Sequence, residues 1–341
     1  MAYQEEKEKS AEYKQQYVQG MNHLLEELQK RAEKTREAYF RDFLSDPEKY
    51  RTELKQMFGW PLTENEERTA PAATSTQLAE EDGYRIYRMQ VEVLDNLTMT
   101  GLYFEAISDQ PQPLVIVQHG GMGTPEMISG FYDGGNTYNY RDILKRIIQY
   151  GVHAFAPQLL LWGQEWFPIK YNRNELDARL KRVGSSITAI EIYGIMRVID
   201  YFEQEKGINS FGMAGLSYGG FYTLVTAAID TRIRSSISCS WFNKRDQVCW
   251  CDWSWFRSAE KFDDAEIACL VYPRHICLQM GNKDELFDSK YTQESFDKIQ
   301  KVFHAVGTDW INLMIFDGNH EFCKDDKPIA DMIEDLRTVQ D

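Results

Sequence analysis

Basic side chains are in short supply in this sequence. Lys and Arg number 38 against 53 Asp and Glu, which gives a net charge of −15 and a pI near 5.0. A field of that sign repels nucleic acid and anionic membrane surfaces, so neither is expected as a partner. Long hydrophobic runs are missing as well. No stretch approaches the ~18 apolar residues of a membrane span, and the opening Met1-Ala-Tyr-Gln-Glu-Glu carries no apolar core of an export signal. Together these absences lead to the expectation of a cytoplasmic protein. The six cysteines (239, 249, 251, 269, 277 and 323) form no Cys-x-x-Cys pair and no regular framework. Cys249-Trp-Cys251 lacks metal-knuckle spacing, so reduced, mostly buried thiols and no metal are expected. No internal repeat is present.

What the chain does have is apolar content. Of its 341 residues 43% are hydrophobic and 13% aromatic, enough to bury one large α/β domain of about 250 residues beside an extension. Residues 1–82 read as that extension. Tyr17, Met21, Leu24, Leu25, Leu28 and Ala32 recur at intervals of three and four, an apolar stripe on a long helix. The stripe is expected to pack on the main domain or on a second subunit, the latter giving a homodimer through the N-terminal helices. Asp46-Pro47 starts a second helix carrying Tyr50, Leu54, Met57 and Phe58, and Gly59-Trp60-Pro61 stops it. From Leu62 to Asp82 the composition turns to Thr, Glu, Ala and Pro without periodicity, which reads as a linker or wrapping loop.

From Gly83 to the end, a domain of residues 83–341, the pattern is strand and helix by turns. Tyr84–Leu94 and Leu97–Ala106 alternate with a period of two around Asp95-Asn96, an antiparallel hairpin. Buried strands follow at Pro113–Gln118, Val152–Pro157, Phe211–Ala214, Ile233–Ser240, Arg274–Met280 and Trp310–Phe316. Helices at Tyr140–Tyr150 and about 185–205, and another after residue 217, lie between them. Such alternation predicts a mostly parallel sheet flanked by helices, with ligands gathered at the C-terminal ends of the strands.

Those strand ends carry chemistry. The stretch Phe211-Gly-Met-Ala-Gly215-Leu-Ser217-Tyr-Gly219-Gly220 runs from strand through a sharp turn into an apolar helix, the context in which Gly-x-Ser-x-Gly presents a nucleophile. A serine there needs a base, a carboxylate to orient it, and two N–H donors for a developing oxyanion. Past the strand ending at Met280 lies Gly281-Asn-Lys-Asp284, with Glu285 and Asp288 as competitors for the acid. Past the last strand lies Asp317-Gly-Asn-His320, the expected base. Past Gln118 lies His119-Gly120-Gly121-Met-Gly123, whose main-chain N–H groups can face a ligand. The oxyanion donors expected are Tyr218 N–H and one from Gly120 or Gly121, with Gly121 preferred. His119 is an alternative base, read instead as a partner within its own loop.

In this order these four motifs resemble the α/β-hydrolase superfamily, and more narrowly its dienelactone-hydrolase-like and acetyl-xylan-esterase-like branch. The resemblance covers about residues 83–341, and the N-terminal helices, ending in the Met57–Pro61 stretch, also look like the leader of some bacterial esterases of that branch. It implies a Ser217–Asp284–His320 triad with no metal and no organic cofactor, acting on a small-molecule ester. Two departures bar transfer of a substrate: dienelactone hydrolases use a Cys nucleophile, and the Arg-Gly-Gln turn of acetyl xylan esterases is absent. A serine peptidase of the prolyl-oligopeptidase kind is a second reading, although the preceding 80 or so residues are too few for its propeller. A non-catalytic binding module on the same scaffold should show a broken triad.

Two segments flank the predicted site. Leu159–Pro168 and Trp241–Phe256 together hold six of the eight tryptophans, among them Trp162, Trp241, Trp250 and Trp253. They read either as an aromatic cap that binds an acyl group or a sugar ring, or as a satellite core under a loop. Lys244, Arg245 and Asp246 could instead meet a charged group.

Overall fold

The computed structural model describes residues 2–64, 69–81, 83–131, 139–162 and 169–338. Nine strands form one sheet: β1 (Ala73–Glu81), β2 (Tyr84–Leu94), β3 (Leu97–Ala106), β4 (Leu114–Gln118), β5 (His153–Pro157), β6 (Phe211–Leu216), β7 (Ile233–Cys239), β8 (His275–Gly281) and β9 (Ile311–Phe316). Their order across the sheet is β1-β2-β3-β5-β4-β6-β7-β8-β9. The first three strands meander antiparallel and β3 pairs antiparallel with β5; from β5 to β9 every pairing is parallel. The chain leaves β4 toward β5 on one side and returns to β6 on the other. That reversal opens a crevice beyond the C-terminal ends of β4 and β6, the place where such sheets bind ligands.

Sequence dictates which strands sit in the middle. β4 (Leu-Val-Ile-Val-Gln) and β6 are buried at every position, as expected of strands covered by helices on both faces. β1, by contrast, is a strand where the composition predicts a linker or wrapping loop. Ala73–Glu81 is nearly all exposed, so as an edge strand it carries no apolar alternation, and only its ladder to β2 reveals it.

Ten helices are described: α1 (Lys7–Tyr39), α2 (Pro47–Phe58), α3 (Pro125–Ile128), α4 (Ile143–Ile148), α5 (Arg173–Arg182), α6 (Ile187–Lys206), α7 (Tyr218–Ile229), α8 (Asp264–Cys269), α9 (Ser289–Val302) and α10 (Lys327–Arg337). Local chemistry sets their ends. Asp46 accepts from Lys49 N–H with Pro47 in the first turn of α2, and Ser186 accepts from Ala189 N–H at the start of α6. One face of the sheet is covered by α2, α6, α7, α8 and α9. The other is covered by α4 and α10.

The N-terminal helices split in behaviour. Phe40, Phe43, Tyr50, Leu54 and Phe58 belong to the same core as the sheet. Arg36, buried, donates to Ala259 O and pairs with Glu266 at 3.2 Å, pinning the end of α1 to the start of α8. Earlier in α1 the stripe finds no such support: Tyr17, Met21, Leu24, Leu25 and Leu28 are 48–74% exposed. The expectation that it packs on the main domain is therefore corrected for this part of the helix. All six cysteines are free; Cys239, Cys269 and Cys323 are buried and Cys277 is half-buried, while Cys249 and Cys251 are exposed.

Because α2 shares the sheet's core, its loss should be felt by the whole molecule. Leu54→Ala, at a fully buried site, is expected to cost about 3 kcal/mol. Urea unfolding followed by far-UV circular dichroism and tryptophan fluorescence should show one shifted transition. An early, separate loss of helix alone would contradict a shared core.

Candidate active site

The turn after β6 places Ser217 at φ 60°, ψ −122°, a strained conformation for a residue with a Cβ. The strain is held by close backbone packing. A Cβ on Gly215 would lie 2.4 Å from the Gly219 carbonyl carbon, and one on Gly219 would lie 2.5 Å from Gln118 O. Only glycine lets α7 leave the strand so steeply while touching β4. Ser217 N–H is fixed by the Cys239 carbonyl at 2.9 Å. The serine is half-buried.

Past β8 and β9 the loops carry the other two groups. His320 Nδ1 and Asp284 Oδ2 are 2.8 Å apart, the carboxylate side chain fully buried and the imidazole about one-fifth exposed. Asp284 is locked in place from behind, its Oδ1 accepting from Leu286 and Phe287 N–H at 2.9 and 3.1 Å. Phe287 also stacks on the His320 ring, centroids 5.8 Å apart. The competitor Asp288 caps α9 through Lys290 N–H, and Glu285 is exposed. One residue ties the nucleophile turn to the histidine loop. Cys239, which accepts from Ser217 N–H through its carbonyl, donates its thiol to Glu321 O at 3.2 Å.

The Gly-rich turn after β4 lies against the serine. A Cβ on Gly120 would stand 3.3 Å from Ser217 Cβ, and one on Gly121 would stand 3.3 Å from both the Tyr218 ring and Trp162 Cδ1. Gly120 is corrected as an oxyanion donor, because its N–H donates to the buried Tyr140 hydroxyl at 2.8 Å. The N–H groups of Gly121 and Tyr218 make no hydrogen bond among the described residues. Tyr218 opens α7, so its N–H is one of the donors that a helix start leaves free.

His119 serves its own loop. Leu159 N–H donates to its Nε2 at 3.1 Å, which leaves the proton on Nδ1 to donate to Gly120 O at 2.9 Å. Complete burial pushes its pKa down to about 4 from an ordinary 6.5. The other histidines lie elsewhere, His153 accepting from Ala106 N–H and His275 pairing with Asp335 at the opposite end of the sheet.

The tryptophans divide. Trp241 and Trp253 are 0% and 6% exposed, packed with Tyr218, Phe221 and Phe287. They belong to the main core beneath the site, which corrects their expected contact with substrate. Trp250 is 38% exposed and stacks on Trp253 at 4.2 Å. Trp162, half-buried, donates its Nε1–H to Tyr218 Oη at 3.1 Å. Trp166 lies outside the described residues. Arg245 is spent on Asp264 and on the Trp241 face, 4.1 Å from the ring centroid.

Sequence reasoning missed a buried ionic cluster behind the elbow. Arg173, fully buried, donates to Asp252 Oδ2 at 2.9 Å and to Tyr222 Oη at 3.0 Å. It also pairs with Glu191, to which Tyr222 and Leu160 N–H donate. Asp252 in turn accepts from Tyr218 Oη at 2.9 Å. The cluster thus holds the Tyr218 hydroxyl, which donates to Asp252 and accepts from Trp162. Its members come from α5, α6, α7 and the segment after β7, too far apart in sequence for any spacing to flag them. The one local hint is a tyrosine following the serine at the start of an otherwise apolar helix.

No protein-family model and no curated protein sequence matches the chain. Its fold is that of several solved structures. One is a Bacteroides fragilis protein assigned as an acetyl xylan esterase, at 17% identity and a TM-score of 0.67, covering 81% of this chain and 75% of that one. Another is the glucuronoyl esterase from Solibacter usitatus, at 14% identity and 0.62, covering 86% and 94%. A third is acetyl xylan esterase 1 from a Thermoanaerobacterium species, at 13% identity and 0.56, covering 86% and 94%. At these identities the likeness establishes a fold, the α/β-hydrolase fold.

Burial of neutral His119 predicts a pH dependence of stability. Its proton affinity is lower folded than unfolded, so between pH 6.5 and about 4 the unfolded chain binds more protons. The contribution is therefore complete above this window and is lost as pH falls through it. By this linkage, about 2 kcal/mol should disappear between pH 7 and 5. Urea midpoints at the two pH values, with His119→Gln alongside, check it: the variant should show the smaller difference.

Proposed function

We propose that the protein is a carboxylic ester hydrolase working through an acyl-enzyme. The reading is carried by one observation: a buried Asp284 bonded to His320 Nδ1 at 2.8 Å at the same sheet edge as a serine held at φ 60° on a strand-to-helix elbow. The names of the three structural neighbours described above, each an esterase, support it.

In this mechanism Asp284 holds the imidazole with its Nδ1–H toward the carboxylate, leaving Nε2 to take the Ser217 proton. The serine oxygen attacks the ester carbonyl. Negative charge developing on the carbonyl oxygen as the C=O π bond opens meets the free N–H groups of Gly121 and Tyr218, in a site where such donors are worth more than in water. His320 then returns the proton to the leaving alcohol, and a water repeats the sequence on the acyl-enzyme. Tyr218 contributes its main chain to the oxyanion, and its side chain, held by Asp252 and Trp162, keeps that N–H aimed.

Steady-state hydrolysis of p-nitrophenyl acetate and butyrate tests the reading. Ser217→Ala and His320→Ala should each lower kcat by about 10⁴-fold or more, and Asp284→Asn by a comparable factor, with the folded state unchanged by circular dichroism. Equal activity in wild type and Ser217→Ala would remove the proposal.

A further inference from the structure

A cavity of about 790 Å³ lies beside the site, on the far side of Trp162. Neither Ser217 nor His320 lines it. Its apolar walls include Val93 and Met99 of the β2–β3 hairpin, Leu160 and Trp162 after β5, and Leu176 and Leu180 of α5. Gly123 and Thr124, two and three residues past Gly121, close the end nearest the proposed oxyanion hole. Trp162 is the shared wall, because it lines the cavity while its Cδ1 would meet a Cβ on Gly121 at 3.3 Å and its Nε1 is bonded to Tyr218.

The chemistry of the lining points to one kind of ligand. Its charged members are Arg88, Glu126 and Glu191. Arg88 and Glu126 pair with each other, and Glu191 is engaged by Arg173, Tyr222 and Leu160 N–H. No unpaired charge is left to meet a charged ligand among the described lining residues. Apolar surface, on the other hand, stands uncovered: Leu97, Leu160 and Ile169 are 40–59% exposed around the cavity. A space of this size lies within the ~300–1,000 Å³ of sites that enclose small organic ligands, and exposed leucine and isoleucine there gain by being covered.

We infer that this cavity receives the apolar acyl chain of the substrate, so that the enzyme acts on neutral esters of medium-to-long chain acids. The inference rests on the ester-hydrolase proposal and names its substrate class. A short acyl group on Ser217, which does not line the cavity, would gain nothing from it, whereas a chain long enough to pass Trp162 would bury methylenes against Leu176, Leu180 and Met99. Each methylene so buried adds about a 2- to 4-fold gain in kcat/KM.

Two measurements test it together. The first is kcat/KM for p-nitrophenyl esters from acetate to decanoate, in wild type and in Leu176→Trp, which obstructs the cavity; Thr98→Phe serves the same purpose from the hairpin side should the first variant fold poorly. The expected result is a profile that climbs beyond hexanoate, and a decanoate-to-acetate ratio that falls at least about 10-fold in the obstructed variant. The second is fluorescence of Nile red, a neutral apolar dye, with Ser217→Ala, which binds without turnover. The dye should bind, be displaced by decanol and not by butyrate, and be lost in the Ser217→Ala, Leu176→Trp double variant. A profile that peaks at acetate and declines, with no dye bound, overturns the cavity assignment and leaves the ester reading standing. Dye binding with an unaltered decanoate-to-acetate ratio overturns it too, since the cavity would then be separate from the substrate. Absence of hydrolysis at every length, with the dye still bound, overturns the ester reading and the substrate assignment with it.

Discussion

Everything at the functional end of this molecule hangs on how closely α7 approaches β4. The carbonyls of Gln118 and His119 lie 2.5 and 2.8 Å from where a Cβ on Gly219 would be, and Gly215 is as tightly met by Gly219 itself. Main chain against main chain at that distance fixes the turn between the two glycines, and Ser217 is carried at positive φ as a consequence. Strain of this kind, of order 1–3 kcal/mol, persists only where the surroundings over-determine it. Here they do so with buried parallel strands on both sides and an apolar helix behind. The same approach brings the Gly120-Gly121 turn alongside Ser217, so that the proposed nucleophile and oxyanion donors would follow from one packing event.

A second layer of order lies behind the elbow. Burying Arg173 with Asp252 and Glu191 requires every remaining donor and acceptor to be met, since a buried charge left unpaired is costly. Tyr218, Tyr222 and Leu160 N–H meet most of them. The result joins four separate segments of chain: α5, the start of α6, the start of α7 and the loop after β7. That arrangement gives the cluster a role in shape as much as in stability. It holds Tyr218 over Gly121, positions the Leu159–Trp162 segment as a wall, and seats the Trp241–Trp253 core under the site.

Much of this was legible in the sequence because it is local. The elbow is a run of ten residues, and Asp284 and His320 each follow directly on a buried strand, so strand ends and catalytic candidates are read together. Strand boundaries from β2 to β9 agree with the apolar pattern to within a residue or two. What escaped reading depends on partners far off in the chain. β1 has no apolar alternation because an edge strand faces water, and only its backbone ladder to β2 defines it. Arg173 and Asp252 are 79 positions apart, with no spacing rule to connect them. Gly120 and Gly121 are indistinguishable as letters, and it is the Tyr140 hydroxyl, 20 residues on, that occupies one N–H and leaves the other. Trp241 and Trp253 look like cap residues by position, whereas their contacts with Phe221 and Phe287 make them core.

The central claim is that Ser217 is an activated nucleophile, made so by His320 and Asp284. Covalent capture tests it most directly: incubation of the folded protein with a fluorophosphonate probe, then peptide mass spectrometry to locate the adduct. The account predicts one equivalent of phosphonate on Ser217, formed in wild type and absent after heat denaturation or in His320→Ala. An unmodified Ser217 in folded, intact protein, or an adduct on another serine with Ser217 free, would contradict it.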